Sequence, residues 1–411
     1  MNWLKKFALL AVLLAITPQL IGAQTVVTGT TDGGAYYQIV VPPVWNGDLV
    51  IWNHGFDLNP PAPNPSLGPL AALQLAEGYA VAASSYQQAG WALFKTKNDL
   101  QNLINAFESH FGAPRFVFVT GASLGGIVTA QAVEEAHVGN VVGALSLCGA
   151  VAGSRNWDAA LDLRLVYDAV CSAVPGAAIP GGAQGLPPKF PFTGTQLALA
   201  VNACTGILLP PMLRTPAQQS NLAKILNTMK VPENFLLTDM GFATFAMSDL
   251  AHDPRKLAGQ IAWRNDSVDY GDPTINSTIE RVEPNPGAAN KLGKRFIPTG
   301  SVGATKIVAL HTDKDGLVVV ENENEYASVV PPQNLTTAIV VETTPTHCGF
   351  NGAEVVAGWE ALRGWAYGGP QPSPVTIQGI CQAVQPLFGG PCRIDPTFVI
   401  PDLDTRIRPR P

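Results

Sequence analysis

Charge is scarce in this chain. Of 411 residues 14% are charged, with 25 Lys and Arg against 31 Asp and Glu. The formal charge of -6 provides no basic footprint, which excludes nucleic acid as a partner. Long apolar runs are also missing beyond Ala23. Each later apolar stretch is short and is broken by Gly, Pro or a polar residue, so none reads as a membrane-spanning helix. No internal repeat is present. What the chain does have is a 46% apolar content, which suits a packed globular protein and argues against disorder. Its length calls for one large domain with a sizeable insertion, or for two domains.

The N-terminus reads as an address label. Lys5 and Lys6 form a positive start, Phe7 to Ile16 is an uncharged apolar run, and Ile21-Gly22-Ala23 ends in a small residue. That order predicts a signal peptide over residues 1–23, cleaved after Ala23, because the run is too short to span a bilayer. No Cys stands at the cleavage point, so a lipid anchor is not expected. The predicted location is outside the cytoplasm, extracellular or periplasmic. Cysteines are few and even in number: Cys148, Cys171, Cys204, Cys348, Cys381 and Cys392. In an exported protein an even set predicts disulfides, with buried free thiols as the alternative. Cys171–Cys204 and Cys381–Cys392 are the expected local pairs, since each would close a loop in a region without sheet ladders.

Strands and helices alternate through the first third. Tyr36 to Val41, Asp48 to Trp52, Tyr79 to Ser85, Arg115 to Thr120 and Val141 to Cys148 read as strands. Leu67 to Glu77, Lys97 to Phe111 and Leu124 to His137 carry helical spacing; Leu100, Leu103, Ile104, Phe107 and Phe111 fall on one face. This predicts an α/β fold with a mostly parallel sheet covered on both sides. From about Ala150 to Gly303 the alternation stops among turns such as Pro180-Gly181-Gly182 and Pro210-Pro211. It resumes with strands at Lys306 to His311 and Thr336 to Glu342 and a helix at Ala353 to Trp365. Residues 368–411 read as an irregular, Pro-rich tail.

The strongest chemical motif is Gly121-Ala122-Ser123-Leu124-Gly125-Gly126, between an apolar strand and a helix. That is the setting a G-x-S-x-G nucleophile turn requires. Side chains two positions to either side of Ser123 would clash, and the helix behind it aims free N–H groups at a developing oxyanion. The bland alternative is a tight turn with an incidental serine. Serine needs a base, and the base must come from a loop able to reach over the sheet edge. Of six histidines, His110 and His137 lie near helix ends, His252 in the insertion, and His54 and His311 at strand ends. His347, in the loop after the last strand, is the candidate. The orienting acid is expected after the Lys306–His311 strand, as Asp315 or Asp313, with Asp315 favoured because its Asp-Gly turn lifts it off the strand end. The backbone N–H groups of Phe56 and Leu124 are the expected oxyanion donors, and His54 is expected to brace the Phe56 loop.

These motifs resemble those of the α/β-hydrolase superfamily. The likeness covers the strand ending at His54-Gly55, the turn around Ser123, the strand before Asp315 and the loop of His347, or most of residues 25–150 and 304–367. It implies an eight-stranded, mostly parallel sheet over 24–150 and 304–367, with a cap inserted at 151–303. Within the superfamily, the secreted tannase and feruloyl-esterase group is similar in having a cysteine directly after its histidine, as His347-Cys348 shows. That group also has a cysteine before its serine, where this chain has Ala122. The strand order implied by the resemblance carries the His347 loop across the end of the strand bearing Cys148. A Cys148–Cys348 disulfide is therefore expected, with a buried apolar Cys148 and a free Cys348 as the alternative.

The leading expectation is hydrolysis of small-molecule carboxylic esters through an acyl-enzyme on Ser123. Amide or peptide cleavage by the same triad, of the proline-specific kind, is a second reading. A non-catalytic binding protein on this fold is a third, whose mark would be a missing triad residue. The chemistry calls for no metal and no organic cofactor. No motif in the insertion identifies the substrate. Its apolar residues (Ile207-Leu208-Leu209, Phe235, Phe242, Phe245) read equally as pocket lining and as core.

Overall fold

The structure is a computed structural model that describes residues 23–135 and 138–410. The signal-peptide reading, apart from Ala23, and His137 lie outside these residues. Nine strands form one sheet: β1 (Thr25–Thr30), β2 (Tyr36–Val41), β3 (Leu49–Asn53), β4 (Ala80–Ser84), β5 (Val117–Ala122), β6 (Val141–Leu147), β7 (Lys306–Thr312), β8 (Leu335–Val340) and β9 (Ile394–Asp395). Their spatial order is β1-β2-β4-β3-β5-β6-β7-β8-β9. The pairs from β4-β3 through β7-β8 are parallel, and the pairs at the two edges are antiparallel. This is the α/β-hydrolase fold, with one short strand beyond the eight that the resemblance implies.

The helices are α1 (Ala71–Ala76), α2 (Thr96–Phe111), α3 (Leu124–Glu134), α4 (Arg155–Cys171), α5 (Gly194–Thr205), α6 (Pro216–Met229), α7 (Leu236–Gly241), α8 (Met247–His252), α9 (Pro273–Thr278), α10 (Pro286–Gly293), α11 (Asn322–Val329), α12 (Gly352–Ala366) and α13 (Pro374–Phe388). Helices α2 and α3 share a core with Leu49 and Ile51 on one face of the sheet, whereas α12 and α13 share one with Val50 and Phe118 on the other. Both faces of β3 and β4 are thus covered, which is why every residue of these strands is buried and the strands read as unbroken apolar runs. Helix α3 is buried from Leu124 to Val133, packed against β3, β5, β6 and α2.

Two regions differ from the sequence reading. Strand β1 went unrecognised because it is an edge strand with four of its six residues exposed and a glycine inside it. The tail is not irregular throughout. Ser373 caps α13 by accepting from Thr376 N–H at 3.2 Å, with Pro374 in the first turn. Ile377 and Cys381, one helical turn apart, are its buried face. Pro386 and the flanking Gly and Pro residues hid this helix in the sequence. Beyond it, β9 pairs with β8 at Val340 and Ile339.

The insertion between β6 and β7 is helical. Capping boxes at Thr193 and Thr215 start α5 and α6. Between α7 and α8 the chain makes a π-helical turn, Phe242–Ala246. All six cysteines are paired as expected. Cys171–Cys204 joins the ends of α4 and α5, Cys381–Cys392 joins α13 to the approach to β9, and Cys148–Cys348 joins the end of β6 to the loop after β8. The Cα separations are 5.6, 5.8 and 5.4 Å, within the disulfide range. Among the described residues no helix is long and apolar enough to cross a membrane.

Candidate active site

Strand β5 ends in the Gly121–Ser123 turn, and Ser123 has φ 57° and ψ -121°. A side chain disfavours such backbone angles, so the surrounding packing must hold it there. The flanking glycines are sterically required. A Cβ at Gly121 would sit 2.2 Å from the Gly125 carbonyl oxygen, and one at Gly125 would sit 2.0 Å from that of Asn53. The Ser123 N–H donates to the Leu147 carbonyl at 2.9 Å, fastening the turn to β6.

Ser123 Oγ lies 2.9 Å from His347 Nε2, and His347 Nδ1 lies 2.7 Å from Asp315 Oδ2. A carboxylate can only accept, so Nδ1 carries the proton and Nε2 is left to accept from the serine. Asp315 is buried and fully hydrogen-bonded. Its Oδ1 accepts from the N–H groups of Leu317 at 2.9 Å and Val318 at 3.0 Å, and its Oδ2 also accepts from Cys348 N–H at 3.2 Å. Asp313 points elsewhere, accepting from Glu342 N–H at 2.7 Å. The geometry brings Asp315, not Asp313, to the imidazole.

The histidine loop is held from several sides. Thr346 donates its N–H to Glu342 at 3.2 Å, and its hydroxyl bonds to the same carboxylate. Arg393, paired with Glu354, donates to the Gly349 carbonyl at 2.7 Å. Asn234 in the insertion donates to the Pro345 carbonyl at 2.9 Å. The Cys148–Cys348 disulfide ties the residue after His347 to the sheet. Those two sulfurs lie beside Asp315 and His347 but are bonded to each other, so they are not thiolate ligands for a metal.

Behind the acid stands a second buried histidine. His311 Nδ1 contacts Glu323 Oε1 at 2.9 Å, and its Nε2 donates to the Val318 carbonyl at 2.7 Å. Burial alone would lower its pKa, but hydrogen bonding and charge from Glu323, with Asp315 adding, raise it on balance. His54 donates Nδ1–H to the Gly55 carbonyl at 2.8 Å and stacks on Tyr86. Burial holds its pKa below the usual value. It braces the loop carrying Phe56. Among the described residues nothing accepts a hydrogen bond from the backbone N–H of Phe56 or Leu124, and both residues line one cavity with Ser123.

That cavity has a volume of about 110 Å³, the scale of a single ring or a short chain. Trp91, Trp157, Leu163, Met229 and Phe242 make it apolar, and Phe56 and Phe242 pack with ring centroids 4.9 Å apart. Of the insertion's apolar residues named from sequence, Phe242 lines it, Phe245 packs against the core, and Phe235 is buried against Gly316. Besides Asn156, whose amide is bonded to Asn322 and two backbone carbonyls, sequence reasoning missed two polar residues in its wall, Asp239 on α7 and Arg406 in the tail. Neither belongs to a motif, and the tail gave no reason to expect a pocket residue. His110 and His252 stay away from Ser123: His110 bonds the Ala106 carbonyl on α2, and His252 ends α8.

No family model matches this chain, and no curated protein matches it. Solved structures do. Candida antarctica lipase A in its closed state is 13% identical over 90% of this chain and 88% of its own, with a TM-score of 0.43. Feruloyl esterase B from Aspergillus oryzae is 11% identical over 87% and 85%, at 0.46. Proline iminopeptidase from Mycobacterium smegmatis is 14% identical over 88% and 98%, at 0.37. Likeness at this level does not extend to substrate or site.

Proposed function

We propose that this protein is a serine hydrolase that cleaves small-molecule carboxylic esters through an acyl-enzyme on Ser123. The observation that carries the reading is the continuous hydrogen-bonded chain Ser123–His347–Asp315, at 2.9 and 2.7 Å, opening into an apolar cavity. In the first half-reaction Ser123 Oγ attacks the ester carbonyl while His347 Nε2 takes its proton. Asp315 holds the imidazole and stabilises the imidazolium. The N–H groups of Phe56 and Leu124 donate to the tetrahedral oxyanion. On collapse, His347 returns the proton to the departing alkoxide and the alcohol leaves. In the second half-reaction His347 deprotonates a water that attacks the acyl carbonyl, which releases the carboxylic acid and restores Ser123.

We place the protein outside the cytoplasm on two supports. The N-terminal sequence has the signal-peptide order, and all six cysteines are paired in three disulfides. The test of the reaction is turnover by purified protein of an ester and of the anilide with the same acyl group. The ester should be cleaved faster, and Ser123→Ala should abolish it. Preferential anilide cleavage would make the protein an amidase. Ester turnover that survives Ser123→Ala would remove Ser123 from the chemistry.

A further inference from the structure

One buried carboxyl and one guanidinium in the cavity wall have no role in the triad. Asp239, on α7, is 9% exposed. Its Oδ1 is fully enclosed and has no hydrogen-bond partner, and no side-chain hydrogen bond involves the carboxyl at all. Arg406 is half-buried where the tail crosses the insertion, and its guanidinium makes no hydrogen bond among the described residues. The two feel each other's charge, with Glu321 acting more strongly on Arg406 and Asp315 adding, but they form no ion pair. Elsewhere this chain partners its buried ions closely. Arg410 binds Asp162 at 2.6 Å, Arg164 binds Asp168 at 2.9 Å, and Arg393 binds Glu354 at 2.8 Å. A buried polar group without a partner is costly and marks a place where a ligand or solvent completes the bonding.

We propose that Asp239 and Arg406 form a polar subsite that recognises a hydroxyl group on the portion of the substrate filling the cavity. This inference rests on the ester-hydrolase reading of Ser123 and narrows its substrate class to esters with a hydroxyl-bearing acyl or alcohol part. The chemistry selects the hydroxyl. The gap is bounded by a carboxyl, which accepts, and a guanidinium, which only donates. A hydroxyl donates to the first and accepts from the second in one atom. A substrate ammonium would face Arg406, and a substrate carboxylate would face Asp239. The other walls are mainly apolar, with Trp91, Leu163 and Phe242; the Asn156 amide there is already bonded to Ala150, Gly153 and Asn322, and Trp157 adds a buried indole N–H without a partner. Burial, the largest influence, pushes the Asp239 carboxyl well up, with Arg406 opposing and Asp315 adding.

The test uses matched esters that differ by a terminal hydroxyl against a methyl in the same position. Methyl ω-hydroxyalkanoates are set against methyl alkanoates for the acyl part, and acetates of diols against acetates of plain alcohols for the other. In one of the two series kcat/KM should favour the hydroxyl by roughly tenfold or more, because the methyl leaves both protein groups unpaired. Asp239→Leu and Arg406→Met should each bring that ratio to one or below it. A carboxylate or ammonium terminus should be poorer than the hydroxyl. A ratio at or below one in both series for the wild type would overturn the subsite, as would a preference that survives both substitutions. A preference for the carboxylate or the ammonium would overturn it as well. The underlying reading fails by a different observation, namely loss of no activity in Ser123→Ala. The wild-type ratio stands alone if either variant does not fold.

Discussion

Two carboxyls, Asp239 in the cavity wall and Asp315 just behind it, are both buried and are treated in opposite ways. Asp315, at the end of β7, accepts from three backbone N–H groups and from His347. Asp239, on the inserted helix α7, accepts from none. The sheet edge is pre-organised: the charge it needs is already solvated by fixed dipoles before any substrate arrives. The inserted wall is left incomplete. On the proposed reading, the contrast separates the part of the site that performs chemistry from the part that waits for a ligand. The first is held by ladders, a disulfide and a loop braced on three sides. The second is built from short helices and a tail segment.

The contrast breaks most visibly at the triad. Ser123→Ala and His347→Ala should each lower kcat by roughly 10⁴-fold or more with the fold intact, which steady-state assays with circular dichroism would check. Activity within a few-fold of wild type in either would remove that residue from the chemistry. Asp315→Asn should cost about 10⁴-fold, because an amide facing Nδ1 favours the wrong tautomer. Asp313→Asn should cost far less, since Asp313 bonds only the β8 end. Equal effects would mean that the 2.7 Å contact of Asp315 with His347 does not set the tautomer.

A smaller effect is expected at the tether. Cys348→Ser, or mild reduction, frees the histidine loop and should lower kcat by about 10- to 100-fold, since small displacements of a reacting group are expensive. Unchanged activity after reduction, with thiol counting to show that the Cys148–Cys348 bond is open, would deny the tether that role. Stability should then distinguish the two carboxyls. Asp239→Leu should stabilise the fold by about 1–2 kcal/mol, because it removes a buried polar group without a partner. Asp315→Leu should destabilise it by leaving three N–H donors unmet. Denaturant midpoints of the two variants that shift in the same direction would erase the distinction.

The smallest effect is a pH slope. In the folded protein burial, the first cause, pushes Asp158 up to about 7 against the pull of Arg410, and Glu77 up to about 7 and Asp99 up to about 6. Each carboxyl therefore holds a proton in the folded state at a pH where the unfolded chain has lost it. Where the folded state binds more protons, stability falls as pH rises. The melting temperature should accordingly rise as pH is lowered from about 8 toward about 5, and Asp158→Asn should flatten part of that slope. A melting temperature that falls over the same window would contradict these shifts.

Much of the sheet and its edge was legible because both are governed by local rules. Parallel strands covered on two faces must be continuously apolar, and the turn at Ser123 admits only glycine at 121 and 125. The edge strand β1 escaped because exposure removes that pattern. Helix α13 escaped because its cap and buried face sit among Pro and Gly residues. Asp239 and Arg406 were not legible. Each is a single polar residue in a stretch without periodicity, and only the packing of the insertion and tail brings them to one cavity. The choice between Asp315 and Asp313 also needed three dimensions, since both follow β7 and only the Asp-Gly turn directs one toward His347.

The central claim is that Ser123 is a nucleophile made reactive by His347, and covalent labelling tests it most directly. Purified protein treated with a fluorophosphonate and mapped by mass spectrometry should carry one adduct, on the peptide containing Ser123. The adduct should be absent in Ser123→Ala and should form far more slowly in His347→Ala. No adduct, or an adduct on another residue that persists in Ser123→Ala, would contradict it.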